Sequence, residues 1–163
     1  MVTLHGKGVF GGIAIGTLSF YKRKQPKIKR YHVEDAAAEI ARFERAKEKA
    51  IKELGRLYEK ALTEVGETNA MIFEIHQMML EDLDYCESIT SIISTQKVNA
   101  EYAVGTTADN FAEMFSSMDD DYMRGRAADV RDVSEQVLTI LSGGEKKRVT
   151  LADALAMEPQ MLL

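Results

Sequence analysis

Between residues 34 and 141 the apolar positions keep a helical beat. Ile40, Phe43, Ala50, Leu54, Leu57, Ala61 and Val65 follow one another in steps of three, four and seven, while Glu and Lys fill the intervening faces. This predicts a first helix over 34–65, which at ~1.5 Å per residue would be ~45 Å long, a length suited to the spine of a hairpin or bundle. Gly66 is placed to end it. Four more helical segments follow, over 67–82, 84–94, 100–115 and 121–141. Asn99 is positioned to cap the fourth, and Asp119 or Asp120 the fifth, because their side-chain oxygens can accept the free N–H groups of a first turn. The expected class is mainly α: an antiparallel helical bundle made of two hairpins spanning 34–141.

The flanks differ in kind. Over 1–21, Gly6, Gly8, Gly11, Gly12 and Gly16 alternate with Val9, Phe10, Ile13, Ile15, Leu18 and Phe20, the composition of short β-strands and turns. Gly6, Gly8 and Gly11 spell a dinucleotide-loop pattern, but five preceding residues do not supply the strand that such a loop needs. The stretch 22–33 begins with the basic run KRKQPKIKR and reads as a solvated linker. The last stretch, 142–163, is a separate tail. Only two prolines, Pro26 and Pro159, occur in the chain, so the stretch between them is free of the strongest helix breaker.

Length and charge narrow the classes. The chain has 163 residues, enough for roughly one domain of ~150 residues. A hydrophobic share of 45% beside 29% charged residues supplies a core and argues against a disordered chain. The formal net charge of -5 leaves no basic field for nucleic acid and favours basic partners. No apolar run approaches the ~20 residues of a membrane span. The single Cys86 cannot pair within the chain, no signal-peptide layout precedes residue 20, and a reducing cytoplasm is the expected location.

The second helix carries more apolar surface than one core requires. Ile72, Phe73, Leu80 and Leu83 read as a buried stripe, yet Met71, Ile75, Met78 and Met79 cover another part of the same helix. Glu67, Glu74, Glu81, Asp82 and Asp84 rim it. Two readings fit: methionines filling an irregular core, or a docking face for a basic partner, for which methionine is an adaptable side chain. His76 lies among them without a Cys or second His at ligand spacing, so it reads as structural rather than metal-binding. No serine–histidine–acid constellation and no catalytic carboxylate pair emerges. In the segment RGRAADVRD at 124–132 the charges alternate in sign, a pattern of i,i+3 and i,i+4 ion pairs.

Three motifs nevertheless stand in a recognisable order: GIAIGTLSF at 12–20, IFEIHQMMLED at 72–82 and DDDYMRGRAADVRDV at 119–133. Over about 1–141 the chain resembles the N-terminal part of Enzyme I, the phosphoenolpyruvate–protein phosphotransferase of the bacterial sugar phosphotransferase system. The resemblance implies a hairpin-built helical domain that docks the phosphocarrier HPr. By matching positions, it implies an HPr surface of Glu67, Met71, Ile75, His76, Met78, Met79, Asp82, Asp84, Tyr85, Phe115, Met123 and Arg126, with no catalytic, cofactor or metal residue in this chain. Methionines would meet HPr's apolar patch and acids its arginines and lysines. In the family the phosphorylated histidine lies in an α/β subdomain with a Gly-Gly-x-x-Ser-His segment, and phosphoenolpyruvate and magnesium bind in a barrel domain. None of His5, His32 or His76 follows a serine, so the isolated chain is expected to be inactive in phosphotransfer and the strands of 1–21 to be orphaned from their subdomain.

The tail, LSGGEKKRVTLADALAMEPQMLL at 141–163, resembles the signature segment of ABC ATPases, but no G-x-x-x-x-G-K-[ST] loop accompanies it. A helix started at Ser142 explains the same letters. Two alternatives to the HPr-docking module of a phosphotransferase therefore stand: a stand-alone HPr-binding regulator, and a helical interaction module for an ABC-type ATPase. Pairing of the two ends, within one chain or in a homodimer, would cover both the glycine-rich strands and the apolar end of the tail.

Overall fold

A computed structural model of the chain describes residues 28–143, and within them lie five helices: α1 Ala36–Glu64, α2 Glu67–Glu81, α3 Leu83–Gln96, α4 Ala100–Ser116 and α5 Asp121–Leu141. The glycine-rich segment 1–21 and the tail beyond residue 143 lie outside the described residues, as do the end-pairing and ABC-type expectations that rest on them.

Helix α1 starts two residues later than its periodicity suggested because Asp35 takes the N-cap, its side chain accepting from the Ala38 N–H at 2.9 Å. It stops where expected. Gly66 adopts φ +85°, a conformation costly for a side chain with a Cβ, and the chain turns straight into α2. Asp82 leaves the helical region at ψ 129° and splits what would otherwise be one long helix, while its carboxylate accepts from the Tyr85 N–H at 2.9 Å and starts α3. Asp120 caps α5 in the same way, accepting from Met123 N–H at 3.0 Å.

The bundle is a four-column arrangement in which α2 and α3 share a column. Gln77 donates to the Ile51 carbonyl (3.0 Å) and Gln136 to that of Ala50 (3.3 Å), so α2 and α5 flank the middle of α1. Both run antiparallel to α1, as the α1–α2 turn and the Arg42 bond to the Leu141 carbonyl (2.8 Å) show, and therefore parallel to each other. Phe43, Leu54, Leu80, Ile89, Ile93, Val104, Val133 and Val137 fill the centre, nearly or completely shielded from water. At ~1.5–3 kcal/mol for each large side chain buried, this core rather than the helix caps dominates stability.

One end is held by polar contacts that periodicity does not reveal. The last residues of the basic segment are not a free linker: Tyr31 N–H donates to Asn99 Oδ1 (2.8 Å), Asn99 N–H to the Tyr31 carbonyl (3.1 Å) and Val33 N–H to the Lys97 carbonyl (2.9 Å). Asn99 occupies the N-cap position of α4, as expected, but spends its side chain on Tyr31 and Glu101; the α4 amide Ala100 N–H is satisfied by Glu39 of α1 at 2.7 Å. Ile28 lies against the bare Cα of Gly105, where a Cβ would clash with its terminal methyl. Arg42 binds Glu39 (2.7 Å), Glu101 and the last carbonyl of α5 together. Burial alone would push the Glu101 carboxyl up, but hydrogen bonds from Arg42 and Asn99 outweigh it and hold that carboxyl below its ordinary range.

Candidate partner-docking site

Helix α2 presents Met71, Ile75 and Met78 at helical spacing along one side, Glu67 starts the same stripe one turn earlier, and Asp82 lies just past the helix end. Met71 and Met78 are exposed, the latter at 65%. Ile75 is half-buried, and Met79 is half-buried because it packs on the core beside Phe73. Both readings of the methionines thus hold in part: Met79 fills the core, whereas Met71 and Met78 form surface.

Two sequence expectations fail here. Leu83, expected in a buried stripe, is 74% exposed. The break at Asp82 resets the helical phase, and α3 buries Tyr85, Ile89 and Ile93 instead. Tyr85, carried over as a docking residue, is 3% exposed and belongs to the core. Its ring meets Phe111 edge-on, with centroids 5.8 Å apart, and its hydroxyl lies 2.7 Å from Ser134 Oγ on α5. Burial pushes its phenol well above the ordinary range.

Helix α5 supplies the second side. Tyr122 is 68% exposed, Met123 half-buried, and Arg126 lies over the Tyr122 ring with its guanidinium 4.7 Å from the centroid. Arg126 also donates to Tyr122 Oη and, at 3.2 Å, to Asp129 Oδ2. The other carboxylate oxygen of Asp129 faces His76 Nε2 of α2 at 3.6 Å, an ion-pair separation when the imidazole is protonated. This contact places the α2 stripe beside the Tyr122–Arg126 stripe. Phe115 is half-buried at the end of α4, where the exposed Met114 also lies. Glu67, Glu74, Glu81, Asp82, Asp84, Asp119, Asp120 and Asp121 are all exposed.

Eleven of the twelve carried-over positions, all but Tyr85, retain exposed or half-buried surface. Leu83, Tyr122 and Asp129 lie beside these positions and are not among those the resemblance implies. Tyr122 stands four residues before Arg126, the spacing at which a ring and a guanidinium meet on a helix, and that signal was available.

Among the described residues no group of three or more His, Cys, Asp or Glu is arranged to hold a metal ion, and no helix is long and apolar enough to cross a membrane. Cys86 is half-buried under Lys47, 3.6 Å away; burial pushes its thiol up despite that cation, which disfavours the reactive thiolate.

Residues 5–126 match the family model of the PEP-utilising enzyme, N-terminal. Phosphoenolpyruvate-protein phosphotransferases are similar in sequence: that of Bacillus sp. (strain S) is 42% identical over 86% of this chain and 24% of its own length, and that of Bacillus subtilis (strain 168) is 39% identical over 89% of this chain and 25% of its own. The chain therefore spans about a quarter of the length of these relatives. Among solved structures, an NMR solution structure of Enzyme I superposes with a TM-score of 0.72 at 29% identity, covering 83% of this chain and 61% of that one. The N-terminal domain of Enzyme 1 - Nitrogen gives 0.68 at 25% identity, covering 82% and 59%. With the helical order, the three motifs and these matches in agreement, the chain belongs to the family of PEP-utilising enzyme N-terminal regions, matching the N-terminal domain of Enzyme I.

Proposed function

We propose that this chain is the HPr-docking module of a phosphoenolpyruvate–protein phosphotransferase, receiving HPr on the α2–α3 and α5 surface so that a phosphoryl group can pass between HPr and a histidine outside the described bundle. The observation that carries this reading is the exposure of Met71, Met78, Leu83 and Tyr122 on helices whose other faces are buried, with carboxylates around them. Exposed methionine and aromatic side chains rimmed by acids suit a partner with an apolar patch ringed by Lys or Arg, the chemistry ascribed to HPr by the resemblance. Central apolar contacts supply affinity, and the acids raise the rate of encounter.

The roles divide by burial. Met71, Ile75, Met78, Phe115 and Met123 form the apolar contact, with Met79 backing them from the core, while Glu67, Asp82 and Asp84 meet cations. His76, with its side chain 12% exposed and facing Asp129, orients its neighbours and is not the phosphoryl carrier. Tyr85 is removed from the contact set. Titration of the 15N-labelled chain with HPr from the same cell tests the assignment: shifts should cluster on Met71–Asp84 and Tyr122–Asp129. Absence of binding, or shifts confined to the Arg42–Glu101 end, would refute it.

A further inference from the structure

We infer that Asp129 is a positioning residue of the docking face: it holds Arg126 in place on the Tyr122 ring and offsets its charge, so that this guanidinium does not oppose the acidic rim offered to a basic partner. This rests on the docking assignment above, and it concerns a residue that does not itself need to touch the partner.

The argument begins with a conflict. A surface rich in exposed carboxylates also carries Arg126, beside Tyr122, and an uncompensated guanidinium there would repel a partner rich in Lys and Arg. The structure resolves it locally. One amino group of Arg126 donates to Asp129 Oδ2 at 3.2 Å, the other donates to Tyr122 Oη, and the guanidinium lies over the Tyr122 ring. Arginine is a long side chain with much rotamer freedom, and it stays fixed only where its planar fork is satisfied from several sides. Of its three restraints Tyr122 supplies two, but Tyr122 is itself 68% exposed and is an unsteady anchor. Asp129 is the sheltered one, its side chain 22% exposed against 17% for Arg126. Shielding from water strengthens a charge pair relative to a fully exposed one. Asp129 also reaches across to His76 on α2 with its other oxygen, at 3.6 Å, so the same carboxylate sets the cation of one helix and faces the imidazole of the next.

Asp129→Asn keeps the shape and removes the charge. Calorimetric titration of the full 163-residue chain with HPr should then show about tenfold weaker binding, a change of ~1.4 kcal/mol. The same substitution made on an Arg126→Gln background should add little, because the group it positions is gone. Asp129→Glu should recover most of the affinity. In the side-chain 15N spectrum the Arg126 Nε–Hε signal should be sharp in the wild type and broadened in Asp129→Asn, with the melting temperature within a few degrees of wild type. Equal losses in the presence and absence of Arg126, or an Asn variant that binds as the wild type does, would overturn the inference. Should the wild type itself not bind HPr, the docking assignment falls, and the Arg126 signal still decides the positioning: a signal unchanged in Asp129→Asn overturns it.

Discussion

Removing the Tyr85 hydroxyl tests the placement that most changed the sequence-based site. Tyr85 and Ser134 are 3% and 1% exposed and share a hydrogen bond of 2.7 Å between α3 and α5. Tyr85→Phe keeps the ring against Phe111 and leaves Ser134 Oγ without its bonded partner, in a place water does not reach. A net hydrogen bond contributes ~1 kcal/mol and a stranded buried hydroxyl costs ~1–3 kcal/mol, so the variant should lose about 1–2 kcal/mol. For a bundle of this size that is a fall of roughly 4 °C in melting temperature per kcal/mol. Ser134→Ala should cost a similar amount. The double variant should cost clearly less than the sum, since replacing both polar partners leaves nothing stranded. Urea denaturation of the four proteins gives the coupling.

The same hydroxyl predicts an alkaline signature. Burial raises the phenol in the folded state, so the folded chain keeps its proton at a pH where the unfolded chain has lost it. Stability from this group is complete below the ordinary tyrosine value near ~10 and declines as pH rises through it. Between about pH 9 and 11 the wild type should therefore lose more stability than Tyr85→Phe, at up to ~1.4 kcal/mol per pH unit at the upper end. HPr affinity at neutral pH should be the same for both. A Tyr85→Phe variant with unchanged stability and an unchanged alkaline decline, or one that weakens HPr binding as an interface substitution does, would refute the buried assignment.

Met78→Glu should weaken HPr binding at least tenfold with helicity and melting temperature near wild type; destabilisation by the ~2–5 kcal/mol typical of core truncations would mean that Met78 is a core residue. Because the Glu101 carboxyl is held below its ordinary range, its contribution is present above the unfolded value near ~4.3 and is lost as pH falls through the folded one, so Glu101→Gln should flatten the acid arm of a stability–pH curve. Gly105→Ala should displace Ile28 from α4, and hydrogen exchange at Tyr31 and Val33 should quicken while the global melting temperature changes little. Incubated with phosphoenolpyruvate and magnesium, the 163-residue chain should acquire no phosphohistidine; stoichiometric label on His76 by mass spectrometry would contradict its role here.

What could be read without coordinates was whatever repeats locally. The α1 stripe, the stop at Gly66 and a cap at Asp119 or Asp120, of which α5 uses Asp120, each depend on neighbours within one or two turns. The errors share a different origin. Leu83 and Tyr85 were assigned on the assumption of a continuous helical phase or by matched position, and one residue, Asp82, decides which of them faces inward. Asn99 looked like a self-sufficient cap, but its partner is Tyr31, 68 residues away, and the cap of α4 is Glu39 from another helix. Such pairings carry no periodic trace. Within the candidate site the methionines and acids were legible as composition. That Met78 is surface and Met79 core depends on the rotation of α2 against α1, which Gln77 fixes by bonding the Ile51 carbonyl.

The polar knot at one end makes the bundle a lever. From Tyr31 through Asn99, Glu101 and Arg42 to the Leu141 carbonyl, a single hydrogen-bonded path joins the segment that enters the bundle to the helix that leaves it. Entry and exit are thus tied together at one point, and a rotation of the bundle about that point would carry its helices as a unit. Met71 lies far along this arm, roughly 25 Å from the knot at ~1.5 Å per helical residue, so a pivot of about 10° there would carry it about 4 Å. Stiffness at the knot would therefore set how finely the methionine face is aimed at the partner proposed above, and softening Arg42 or Glu101 would blur that aim without touching a residue of that face.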